Sequence, residues 1–263
     1  MKRLLIASFA LALLVPACAF AQDAFTGTWQ QDATSVHETG GKPMVMSIKD
    51  GVYTDDSVPP MSVKADGEDH AVTGQKRFDT AAVKVVDDHA IQLTEKKDGK
   101  TIWMGVFTVA ADGKTADGEY TSYREGSAPM TGKVVFERVG KASKGLHAAS
   151  GSWHFDHVAS EGGPARTYTY KVDGNKIDYK SDAMSYSGTI GGKAVPFMDD
   201  GKQDGTVSVK RVGKNVLRET FLDKNGKARA TSTMTLSADG KSIKSANYSV
   251  ETKVTSTAVA TKQ

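Results

Sequence analysis

From Gln22 onward the sequence contains no cysteine; the only one it has is Cys18. A mature chain without cysteine has no disulfide, no thiolate nucleophile and no thiolate metal ligand. Its stability must come from packed cores alone. Long apolar runs are also missing after Val15, so nothing there approaches the roughly 20 residues a membrane helix needs. Charge of one sign is missing too. The 34 Lys and Arg nearly balance 31 Asp and Glu, and the net charge of +3 falls to +1 without Lys2 and Arg3. Such a chain has no bulk electrostatic basis for holding nucleic acid or an anionic membrane. There is no Gly-x-Ser-x-Gly elbow and no phosphate loop. No catalytic residue and no cofactor is therefore expected, and the protein does not read as an enzyme.

What is present begins with "MKRLLIASFALALLVPACAFA". Lys2 and Arg3 precede a short apolar stretch from Leu4 to Val15, and Ala19-Phe20-Ala21 offers a small-residue cleavage site. Residues 1–21 read as a secretory signal peptide, which implies a periplasmic or secreted bacterial protein. The alternative is a lipoprotein anchored through Cys18, although Val15-Pro16-Ala17 is a poor lipidation context.

The mature part repeats itself. "GTWQQD" at Gly27–Asp32 returns as "GSWHFD" at Gly151–Asp156. "KKDGKTIWMGVFTVAADGKT" from Lys96 is echoed by "DKNGKARATSTMTLSADGKS" from Asp223, and "VKVVDDHAIQL" from Val83 by "VKRVGKNVLRE" from Val209. A Lys-, Ala-, Ser- and Gly-rich stretch, Val139 to Gly151, separates the copies as linkers do. The expected division is residues 22–144 and 145–263.

Within each copy apolar residues alternate with polar ones, as in "TYTYKVD", "VSVKRV" and "STMTLSA". β-Branched and aromatic residues dominate, and Asp-Gly or Asn-Gly pairs punctuate the runs about every ten residues. That is an all-β antiparallel pattern. A short helical turn is expected around Ala33 to His37. The tail "TKVTSTAVATKQ" is expected to complete the last strand in part and to fray at its end.

The Gly-x-Trp starts, with "YSGTIGGKAVPF" and "VSVKRVGKNVLRETF", resemble a bacterial lipocalin-like (calycin-type) domain, present twice. The resemblance implies two consecutive antiparallel β-barrels; two β-sandwiches or half-barrels are the alternative. It also implies that Trp29 and Trp153 are structural plugs, each under a cation from the last strand. Arg138 is the candidate cation for the first copy, with only Lys253 near the end of the second. Asp32 and Asp156 read as turn residues.

Other constellations are weaker. His154 and His157 lie in a strand context that points them to opposite faces, with no third ligand at metal-site spacing. His37, His70, His89 and His147 read as surface. A haem site of the Gly-x-Trp-x-Gly-x-Gly kind lacks its glycines here. Asp55-Asp56, Asp87-Asp88 and Asp199-Asp200 read as solvated turns. The aromatics Tyr168, Tyr170, Tyr179, Tyr186 and Phe197, with Arg218 as an anion partner, are the candidate lining of a ligand pocket. The expected function is an exported soluble binding protein holding a small, mainly apolar ligand in one or both barrels. The alternative is a cell-envelope interaction or scaffold module with packed barrels, its protein partner unidentified.

Overall fold

The computed structural model describes residues 23–57 and 59–263; the expected signal peptide and Cys18 lie outside them. Among the described residues there are strands and turns but no α-helix. In chain order the strands are β1 (Gly27–Gly40), β2 (Met44–Lys49), β3 (Val52–Asp55), β4 (Met61–Lys64), β5 (His70–Ala71), β6 (Thr80–Val85) and β7 (Ala90–Lys97). Next come β8 (Lys100–Val109), β9 (Thr115–Ser122), β10 (Met130–Val139), β11 (Gly151–Gly162), β12 (Thr167–Asp173), β13 (Lys176–Ser181) and β14 (Met184–Thr189). The last six are β15 (Val195–Asp199), β16 (Lys202–Gly213), β17 (Val216–Leu222), β18 (Ala228–Leu236), β19 (Ser242–Ser249) and β20 (Val254–Lys262).

The turns form where the sequence places them. Asp50-Gly51 and Asp98-Gly99 are two-residue hairpin loops in which both residues have positive φ, 51° and 74°, then 49° and 74°. Glycine takes that conformation without a Cβ clash, and Asp tolerates it better than most residues.

Strands β12 to β20 pair each with the next, all antiparallel. The ring is completed by β1, whose Gly27–Gln30 pairs with β12 and whose Trp29–Gly40 pairs with β20. The result is a closed ten-stranded barrel, which leaves no sheet edge exposed. Its core gathers Phe25, Trp29, Tyr170, Ile177, Val207, Leu217 and Ile243. Strands β5 to β11 pair in sequence, and β11 continues through β2 to β3 and β4. This second sheet curls round its own core of Met46, Tyr53, Val83, Ile91, Val109 and Trp153. Its two ends meet at an isolated bridge between Asp66 and Lys84.

The strands thus do not sort at the expected 144/145 boundary. β1, from the N-terminal half of the sequence, sits in the C-terminal barrel. β11, from the C-terminal half, sits in the N-terminal sheet. The two long strands touch where His37 faces His157. Two further expectations change. The segment Ala33 to His37 stays within β1 as a bulge, with the Asp32 carboxylate accepting from the Thr34 amide at 2.9 Å. The C-terminal tail is held to its end: β20 lies between β19 and β1, and the Gln263 amide donates to the Thr28 carbonyl at 2.9 Å.

Candidate functional site

The two tryptophan segments share one local geometry. Each indole is fully buried and donates its Nε1–H to the carbonyl four residues back, Trp29 to Phe25 at 3.0 Å and Trp153 to Ala149 at 2.9 Å. A cation lies over each ring: the Arg138 guanidinium 4.0 Å from the Trp153 centroid, and Lys262 Nζ 5.2 Å from that of Trp29. Both cations reach their ring across the preceding glycine. A Cβ on Gly151 would come within 2.5 Å of Arg138 Nη1, and one on Gly27 within 2.5 Å of Lys262 Cε. The Gly-x-Trp spacing therefore keeps a lane open for the cation. Arg138 does cap a tryptophan, but that of the other sequence half. Lys262, not Lys253, covers Trp29. Arg138 also donates to the carbonyls of Gly113, Ala148 and Ser150, at 2.5, 2.6 and 2.8 Å.

The closed barrel does bring the predicted tyrosines together. Tyr170 and Tyr179 rings stand 5.1 Å apart, Tyr179 stacks on Tyr186 at 5.4 Å, and Tyr168 meets Tyr170 edge-on at 5.7 Å. At their centre lies Glu219, a residue the sequence reading passed over. Its Oε1 accepts from the Tyr170 hydroxyl at 2.8 Å and from the Tyr186 hydroxyl in a short bond. Burial pushes the Glu219 carboxyl up from its usual range, and the two hydroxyl donors only partly oppose that. Burial, with Glu219 nearby, likewise pushes the Tyr170 and Tyr186 phenols upward. Arg218, one position earlier on β17, is exposed on the outer face, beside Thr233. Strand alternation separates the two. Leu217, Glu219 and Phe221 share the inward face, and that acid on an apolar stripe was the signal to find. Phe197 is buried in the same core, edge-on to Phe221 at 5.0 Å.

The tyrosine cluster has an inner and an outer part. Tyr170 and Tyr186 are sealed beside Glu219. Tyr168 and Tyr179 are half-buried and line an open cleft of about 420 Å³ to which both sheets contribute. Burial raises the Tyr179 phenol to about 12. Across the cleft, the N-terminal sheet presents Trp103 and Tyr120. Trp103 lies over Gly105 and Tyr120 over Gly132, where a Cβ would collide with the rings. A glycine in a strand often marks such a close approach. Loops add Arg77, Arg124 and Arg166 to the lining, and Asp182 on the barrel side. Glu161 anchors one wall: it pairs with Arg166 and accepts from the Tyr120 hydroxyl at 3.2 Å. Trp103 is the one tryptophan outside the Gly-x-Trp pattern and the one not fully buried. The sequence reading did not single it out.

Among the described residues no group of three or more His, Asp or Glu is placed to hold a metal ion. No described helix is long and apolar enough to cross a membrane. The barrel's outward positions include Lys171, Lys180, Lys210, Arg218 and Lys244, all exposed; a membrane barrel presents an apolar band there. No family model matches the chain, and no curated protein matches it.

Proposed function

We propose that this chain is an exported binding protein, built from one lipocalin-like β-unit used twice, that holds a small ligand with an apolar body. The shared geometry around Trp29 and Trp153 supports the repeat. The ligand site is the cleft rather than a barrel interior, because the closed barrel is filled by its own side chains from Tyr170 to Ile243. One observation carries the reading: aromatic rings from both sheets, Trp103 and Tyr120 on one side and Tyr168 and Tyr179 on the other, converge on one concavity. Its volume of about 420 Å³ lies within the ~300–1,000 Å³ usual for small-molecule sites. Burial of apolar ligand surface against these rings supplies the driving force, at about 25 cal/mol per Å² before the costs of association.

The test is native mass spectrometry of the mature protein purified from its own envelope. A discrete added mass is expected, released on unfolding and lost in Trp103→Ala. A bare mass, together with tryptophan fluorescence that no apolar probe alters, contradicts the reading. The filled barrel core favours one alternative in that event: a packed scaffold whose loops meet a partner protein.

A further inference from the structure

We infer that the cleft's ligand carries an oxyanion, a carboxylate, sulfonate or phosphate, recognised by Arg77 and Arg124 while its apolar body lies on the aromatic walls. This rests on the cleft being a ligand site. The first support is the choice of cation. From Gln22 onward the chain has 25 lysines and seven arginines. Three of those arginines line this cleft, and no lysine does. Other concavities on the molecule take lysines: Lys133 in one, Lys42 in another, Lys224 in a third. A solvated surface has no reason for that segregation. Oxyanion recognition has one, since guanidinium presents a planar fork that matches two oxygens, whereas ammonium is a point charge.

The second support is which of the three are committed elsewhere. Arg166 is engaged by Glu161. Neither Arg77 nor Arg124 is in any ion pair among the described residues. The acid that Arg77 acts on is Glu95: burial pushes that half-buried carboxyl up and the Arg77 charge pulls it part of the way back, without an ion pair between them. Arg124 is followed by Glu125, which extends to Lys100 at 3.4 Å. Asp182 is the one acid in the cleft lining, and it stands on an exposed turn of the barrel side. The hydroxyls of Ser122 and Ser127 in the same lining are further donors by type, whereas that of Ser181 donates to the Met184 carbonyl.

Two probes separate this inference from the reading beneath it. 8-Anilinonaphthalene-1-sulfonate and N-phenyl-1-naphthylamine share one aromatic body, and only the first carries an oxyanion. Both are titrated into the mature protein, with binding followed by probe emission and by Trp103 quenching, taken as the tryptophan quenching that Trp103→Phe abolishes. Arg77→Gln with Arg124→Gln is expected to weaken the sulfonate about tenfold and to leave the neutral probe unchanged. Arg124→Lys alone should weaken the sulfonate by a smaller factor. Lys244→Gln, on the outer face of β19, should alter neither probe. Circular dichroism of each variant separates lost binding from lost folding. Equal weakening of both probes, or no change in the sulfonate, overturns the oxyanion inference and leaves the cleft reading standing. No quenching of Trp103 by either probe overturns both.

Discussion

Glu219 is the residue with the sharpest consequences. A carboxyl sealed in a barrel is held in place by hydroxyls that need it as acceptor. Removing it strands the Tyr186 hydroxyl, at about 1–3 kcal/mol, and leaves the Tyr170 hydroxyl only the Met234 sulfur, 2.8 Å away, as a weak acceptor. Glu219→Leu should therefore destabilise the protein strongly. Glu219→Gln keeps an acceptor of the same shape and should cost little near pH 4. The pH dependence has a definite sign. The folded-state pKa is raised above the ordinary carboxylate value of 4.5, so the native state binds the proton more tightly than the unfolded chain. The stability this confers is fully present below that ordinary value. It is lost as pH rises through the raised folded pKa. Wild type should lose stability across that window, and Glu219→Gln should lose less. Thermal unfolding from pH 4 to pH 8 measures it; parallel curves for the two proteins would mean that Glu219 ionises in the fold as freely as outside it.

At the scale of elements, strand exchange makes a different prediction. Strands β2 to β11 form a continuous stretch with Trp153, its cation Arg138 and their own core. The closed barrel instead needs β1, which lies far away in sequence. A fragment of residues 41–162 should fold alone, with dispersed amide resonances and cooperative melting. A fragment of residues 145–263 should not, because it lacks Trp29 and leaves the facing edges of β12 and β20 open. Folding of the second and not of the first would refute the exchange. Much of this level was legible in the sequence. Alternation gave strand faces, and Asp-Gly pairs gave hairpins, because both are local backbone properties. The pairing of β1 was not legible. Period-two patterning says which face of a strand is buried but not which core receives it. The two Gly-x-Trp strands open on the same Gly-x-Trp-x-x-Asp pattern, which by itself does not say which core each joins. Arg218 was misplaced by one step of that same alternation, whereas the tyrosines do meet in one cluster, with Tyr170 and Tyr186 sealed in the core. Trp103 and the three arginines escaped notice because the cleft joins loops and sheets that no sequence spacing brings together.

At the scale of the whole molecule, the placement of β1 and β11 ties the closed barrel and the second sheet into one body. β1 and β11 cross at His37 and His157, so neither unit can swing away without breaking a strand out of the other. The cleft therefore has walls fixed by both cores, which suits a preorganised site. Everything above the level of single cores depends on where β1 sits, and a cross-link reads that directly. Thr28 on β1 faces Thr169 on β12, both exposed, with their hydroxyls 3.3 Å apart. In an unexchanged chain β1 would take the place of β11, whose Ser152 faces Val45 on β2. Two double variants distinguish these: Thr28→Cys with Thr169→Cys, and Thr28→Cys with Val45→Cys, each in a chain starting at Gln22, which is otherwise free of cysteine. Facing strand positions meet the distance a disulfide needs. Exchange predicts that the first pair oxidises within one chain, losing two hydrogens by mass, while the second stays reduced. A disulfide in the second pair and free thiols in the first would contradict it.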